Sequence, residues 1–253
     1  MKDTKIRLFV DAPLRSGQAI ALDSAQANYL FNVMRLARGA GVLLFNGQDG
    51  EWRAQVAETG KRGGIVTCLD QSAPQKMPPD LWLLFAPLKK ARNDFVIEKA
   101  VELGAARLCP VQTQFTNAPP LRPDKMRAHV IEAAEQCGAT FVPEVADLTA
   151  LDKILTDWPE NRLLFWADEA RAGEHLPING PAFAPSALLI GPEGGFSLGE
   201  KTRLRALPFV RPFALGPRIL RAETAAVAAM TLWQAQMGDW ARDAAGVIDT
   251  GAP

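Results

Sequence analysis

Gly191, Gly194 and Gly195 crowd one short stretch, Leu-Leu-Ile-Gly-Pro-Glu-Gly-Gly-Phe-Ser (188–197). A second stretch, Leu-Gly-Pro-Arg-Ile-Leu-Arg-Ala-Glu-Thr-Ala-Ala (215–226), follows soon after. Glycine permits backbone angles closed to other residues, while Pro192 and Pro217 each fix φ and remove a donor, so both loops mix rigid and permissive points. Two such turns at the ends of two strands can set backbone N–H and C=O groups around a small ligand. Neither is the dinucleotide fingerprint Gly-x-Gly-x-x-Gly, and no Gly-Lys-Ser/Thr follows to make a phosphate loop. Ordinary strand-to-helix turns use the same spacing, so the pattern alone leaves both readings open. His129 and His175 are the only histidines, which argues against a histidine metal site or a Ser-His-Asp triad.

The elements that must position these loops can be read from periodicity. Leu188, Leu189 and Ile190 suit a buried strand, and Ser197 with Glu200 has capping-box spacing for a helix directly after the turn. Val210 to Leu215 reads as the next strand and a helix follows from about Glu223. Upstream, strands are predicted at 81–88, 107–112 and 163–167. They alternate with a helix capped by Asn93 or Asp94 and closed by Gly104, and with a helix from Asp124 to Cys137. This alternation predicts an α/β domain with a mostly parallel sheet covered on both faces. Residues 1–72 look different: short strands at 6–10, 19–22, 42–45, 51–58 and 65–69, plus one helix from Ser24 to about Arg35, suit a small β-barrel. The expected organisation is therefore a barrel over 1–72, a proline-rich linker over 73–80, an α/β domain over 81–242 and a frayed tail over 243–253.

Composition narrows the class. Zero net charge conceals an asymmetry: residues 1–130 carry eighteen Lys and Arg against twelve Asp and Glu, and the remainder reverses it. A basic first half points to contact with a polyanion, although unequal splits also arise without function. Cys68, Cys109 and Cys137 are odd in number and contain no Cys-x-x-Cys pair, as expected for free thiols in a reducing compartment. The first ten residues lack the apolar core of a signal peptide, and no apolar run reaches membrane-spanning length. The expectation is a soluble, cytoplasmic protein that needs neither metal nor membrane.

Gly-Pro-Glu-Gly-Gly-Phe-Ser followed by Leu-Gly-Pro-Arg-Ile-Leu-Arg-Ala-Glu-Thr-Ala closely resembles the signature of the bacterial 16S rRNA uracil-N3 methyltransferases, the RsmE type of the SPOUT superfamily. The resemblance extends to Asn-Val-Met-Arg (32–35), to Lys-Lys-Ala-Arg (89–92) with the helix ending Glu-Leu-Gly (102–104), and to Glu-Ala-Ala-Glu-Gln-Cys-Gly (132–138). It implies a PUA-like barrel followed by a SPOUT domain with a deep trefoil knot around residues 188–224. It also implies a homodimer, S-adenosylmethionine as cofactor, and the small ribosomal subunit as partner.

By the same resemblance, the cofactor cleft is assigned to Leu189, Ile190, Gly191, Glu193, Gly194 and Gly195 on one loop. Leu215, Gly216, Ile219, Leu220 and Thr224 are assigned on the other, with Ala167 to Glu169 as a third wall. Uracil N3 bears a proton and attacks poorly until that proton leaves, so a base or a stabilising cation is required. Arg221 and Glu223 are the catalytic candidates; Glu223 at a helix start could equally be a cap. Arg35, Lys89, Arg92 and Arg218 are the candidate RNA contacts. A SPOUT methyltransferase with another RNA target, and a non-catalytic RNA-binding or ribosome-assembly protein, are the alternatives; the intact loops weigh against the second.

Overall fold

The computed structural model describes residues 5–118, 121–174 and 176–240, with the side chain of Lys90 left out. The expected tail at 243–253, the first four residues and His175 lie outside the described residues. The chain divides into two compact units, Met1–Met77 with Ile131–Val142, and Pro78–Val130 with Pro143–Pro253.

The first unit holds strands β1 (Arg7–Phe9), β2 (Ala19–Leu22), β3 (Gly41–Phe45), β4 (Glu51–Thr59) and β5 (Gly64–Ala73). They form one five-stranded sheet in the order β1-β3-β4-β5-β2, in which only β1 and β3 run parallel. Alternation drives this sheet: Val42 and Leu44 face inward from β3, Ala54 and Val56 from β4, and Val66 and Cys68 from β5. β5 extends to Ala73, the first residue of the expected linker. The helix expected from Ser24 to Arg35 is capped one residue earlier and is shorter. Asp23 Oδ1 accepts from Gln26 N–H while Gln26 Oε1 accepts from Asp23 N–H, so α1 covers Ser24–Ala27 only. A π-helical turn, Asn28–Val33, follows with Met34 as its C-cap, and Arg35 just beyond takes a φ of 55°.

The second unit is an α/β layer. Its strands β6 (Leu81–Phe85), β7 (Arg107–Gln112), β8 (Glu144–Val145), β10 (Leu163–Ala167), β11 (Ser186–Ile190) and β12 (Val210–Phe213) are all parallel, in the order β12-β10-β11-β6-β7-β8. A two-residue strand β9 (Thr149–Ala150) pairs with β7. β11 is buried at every position, as a parallel strand covered on both faces must be, and it lies between β6 and β10 although it follows both in sequence. The helices are α2 (Lys90–Glu102), α3 (Pro123–Cys137), α4 (Leu151–Thr156), α5 (Leu198–Ala206) and α6 (Ala222–Gln236). The last seven residues of α3, Ile131 onward, belong to the first unit.

Helix α2 starts three residues before Asn93, the expected cap. Asn93 is buried, and its side-chain amide clasps the backbone of Leu88, accepting from the N–H and donating to the C=O, each at 2.7 Å. That clasp satisfies the backbone ahead of the helix, so α2 begins at Lys90 behind an N-cap residue, Lys89, whose side chain makes no capping bond. The Ser197–Glu200 capping box is present as read, and it aims α5 away from the end of β11.

Among the described residues, no helix is long and apolar enough to cross a membrane. Cys68 and Cys109 are buried and Cys137 is exposed at the end of α3, all as free thiols. Burial pushes the Cys109 thiol up to about 12. Thiol reagents at pH 8 are therefore expected to modify Cys137 rapidly and leave Cys109 intact until the protein unfolds, and Cys137→Ser should abolish the fast phase.

Candidate functional site

Three neighbouring strands end together. β10 stops at Ala167, β11 at Ile190 and β12 at Phe213, and Ala167 pairs with Phe213 while Trp166 pairs with Leu189. Their carboxyl ends open onto a cavity of about 280 Å³, closed on one side by the first turn of α6. Open α/β sheets bind ligands at this edge because the backbone turns there leave N–H and C=O groups unused by the ladder.

Of the residues singled out in the sequence, Ala167, Ile190, Gly191, Glu193, Gly195, Leu215, Gly216, Ile219 and Leu220 line this cavity, as do Asp168 and Glu169. Arg221 and Arg218 line it as well, so the arginine expected on RNA and the one expected in chemistry share a wall. Leu189, Gly194 and Thr224 are not on its lining. Leu189 packs instead into the core beside Trp166 and Phe196, because adjacent strand residues point to opposite faces. Gly194 faces Phe115, and Thr224 is exposed on α6. Further wall residues not foreseen are Ala172, Pro192, Phe213, Ala222 and Ala225. The last two were discoverable: alanines three apart at the start of a helix keep that face low enough to abut a ligand.

The two glycine loops do different work. Gly195 sits at a φ of +69°, and a Cβ there would stand 2.7 Å from Glu169 Oε1. A Cβ on Gly191 would stand 2.6 Å from the buried ring of Phe196. Both positions bring the backbone against its neighbours as only glycine can. Gly216, at +91°, faces open space, so conformation alone demands glycine there.

Charges around the cavity are sorted by sign. Asp168 is buried and bonded at 3.1 Å to Arg205, and Glu169 meets Lys201 at 2.8 Å, so α5 supplies the cations that neutralise one wall. Arg218 and Arg221, also on the lining, make no ion pair among the described residues, and both side chains are exposed. Arg221 is also the N-cap of α6, where the helix dipole adds positive potential. Glu223 lies off the cavity. One oxygen is 3.4 Å from Arg92 and the other is buried without a partner. Arg92 also holds Glu193 at 2.7 Å, so it joins two carboxylates. Lys89 is exposed at the start of α2, and Arg35 is exposed in the first unit. Among the described residues no group of three His, Cys, Asp or Glu is arranged to hold a metal ion.

A glycine-walled cavity at the carboxyl edge of a parallel sheet, with two unpaired arginines on its lining, has room for a small ligand and offers positive charge beside it. The chain belongs to a family of RNA methyltransferases: the family model for an RNA methyltransferase domain matches residues 75–234, and that for an RNA methyltransferase PUA domain matches 22–67. It is similar to the ribosomal RNA small subunit methyltransferase E of Rickettsia conorii, 28% identical over 88% of this chain and 93% of the relative. The Synechocystis protein of the same name is 31% identical over 83% of this chain and 71% of the relative. Among solved structures, a ribosomal RNA small subunit methyltransferase E from Neisseria gonorrhoeae bound to S-adenosyl methionine superposes with a TM-score of 0.82. It is 26% identical, and the match covers 93% of this chain and 99% of that one.

Proposed function

We infer that this protein transfers a methyl group from S-adenosylmethionine to N3 of a uridine in the 16S rRNA of the small ribosomal subunit. The observation that carries this reading is the cavity itself, whose lining joins glycines and carboxylates to Arg218 and Arg221. The residues present fit the cofactor: Ile190, Leu215, Ile219 and Leu220 offer apolar surface for a flat purine, and Asp168, Glu169 and Glu193 offer carboxylates to a cationic amino-acid end. Bound S-adenosylmethionine would supply an electrophilic methyl on a sulfonium.

The protein's own residues do the rest by orientation. The loops at 191–195 and 215–220 would hold the methyl donor, and a donor so fixed could be aligned with the attacking nitrogen. Arg221 stabilises the negative charge that spreads over the uracil O–C–N edge as the N3 proton leaves. Arg218 extends the same positive wall toward the RNA backbone. Glu223, fixed by Arg92, keeps one oxygen uncommitted near the start of α6.

The same reading includes a homodimer in the cytoplasm, with Arg35, Lys89 and Arg92 toward RNA. It also includes the domain limits 1–72 and 81–242, and closure of the first sheet into a PUA-like barrel. A deep trefoil knot around 188–224 is part of it, as the family resemblance implies.

Small subunits from a strain lacking the methylation, incubated with labelled S-adenosylmethionine and digested to nucleosides, test the reaction. Label in 3-methyluridine is expected; label in another nucleoside would refute the uracil assignment, and no label despite cofactor binding would refute catalysis on this RNA. A second prediction concerns the cofactor wall. Gly195→Ala forces a left-handed alanine at about 1–2 kcal/mol and presses on Glu169, so the S-adenosylmethionine Kd should rise about tenfold in calorimetry.

A further inference from the structure

Phe115 is exposed where its chemistry gives no reason for it to be. It lies in the loop after β7 with 46% of its surface accessible. The loop is not slack. Thr113 N–H donates to Thr116 Oγ1 at 3.0 Å, Thr116 N–H donates to Thr113 C=O at 3.2 Å, and the two hydroxyls bond at 2.8 Å. Gln114 N–H donates to Glu200 Oε1 at 2.8 Å, tying the same residues to the start of α5. These bonds fix the backbone that carries the ring. An aromatic held out on a fixed backbone loses little entropy when a flat partner covers it.

Its surroundings say what kind of partner. Phe115 Cβ stands 3.1 Å from where a Cβ would sit on Gly194, between two lining residues of the cavity, Glu193 and Gly195. The residues just before Phe115, Gln112, Thr113 and Gln114, line a second cavity of about 510 Å³ together with Glu200 and Arg203. An apolar ring next to the side-chain amides of Gln112 and Gln114 suits a ligand with an apolar face and a hydrogen-bonding edge. An unpaired nucleobase is such a ligand: in single-stranded RNA, bases splay out, stack on aromatic side chains and bond through their edges.

We propose that Phe115 is a stacking platform for an unpaired base of the RNA substrate, adjacent to the base that is methylated, with the neighbouring cavity taking its edge. This rests on the RNA methyltransferase reading above. It adds a specificity determinant outside the cofactor cavity, on a side chain that carries no charge.

The test uses the full-length protein with Phe115→Ala and Phe115→Trp. Phe115→Ala is expected to raise the KM for RNA about tenfold or more while the S-adenosylmethionine Kd stays put, and Phe115→Trp is expected to restore the KM. An unchanged KM in Phe115→Ala overturns the proposal. So does a weakened cofactor Kd, which would mean the ring merely supports Gly194. A shift in sedimentation to a smaller species also overturns it, because the ring would then belong to a protein interface. Wild type runs in parallel: if it fails to methylate RNA the functional reading fails, and filter binding of the same RNA to wild type and Phe115→Ala still decides the stacking.

Discussion

Arg221→Ala is expected to lower the methylation rate by about 10²–10³ while leaving S-adenosylmethionine binding within a few-fold of wild type. Arg221 lines the cavity, has no ion-pair partner among the described residues, and caps the positive end of α6. A cation so placed interacts weakly with neutral uracil and strongly with the anion formed as N3 loses its proton. Its loss should therefore fall on kcat rather than on KM. Arg218→Ala should show the opposite split, with KM for RNA raised and kcat preserved, if that side chain contacts phosphate. Single-turnover rates with saturating RNA separate the two, and a wild-type rate in Arg221→Ala would remove it from the chemistry.

Arg7→Met is expected to destabilise the first unit by about 3–5 kcal/mol. Arg7 is buried, its Nε meets Glu51 at 2.7 Å, and its guanidinium lies 4.5 Å from the centre of the Phe45 ring. The same group donates to the carbonyls of Ala134, Glu135 and Ala139, closing the end of α3. Methionine fills the volume but strands a carboxylate and leaves three carbonyls without that donor. Urea unfolding with amide exchange in β1 and β3 should register the loss. Arg7→Met with Glu51→Leu should recover part of it, because removing both charges is far cheaper than removing one.

What the sequence disclosed follows the range of the forces involved. Local signals carried well: the apolar run 188–190 as part of a buried strand, the Ser197–Glu200 cap, and the turns that end β11 and begin α6 all depend on near neighbours. Asn93 defeated the same logic, since its amide grips Leu88 behind it instead of capping the residues ahead. Asp23 displaced Ser24 because a carboxylate at that position could exchange bonds with Gln26. β8, β9 and α4 escaped notice, being too short for a period to register. The gathering of Ala167, Ile190, Gly191, Leu215 and Arg221 around one cavity rests on strand order, which no spacing encodes. Nor could sequence reveal that Arg92, read as an RNA contact, is bound to carboxylates 101 and 131 positions away, Glu193 and Glu223.

The late insertion of β11 has a consequence for a chain still being made. β6, Leu-Trp-Leu-Leu-Phe, leaves the ribosome with one edge that only β11 will cover, and residues 86–185 must be translated before β11 exists. At bacterial elongation speeds of roughly 5–20 residues per second, that interval is on the order of 5–20 s. Throughout it, a fully apolar strand presents an open edge to every other nascent chain nearby. A premature stop between 86 and 185 therefore yields a product that can never close its own sheet.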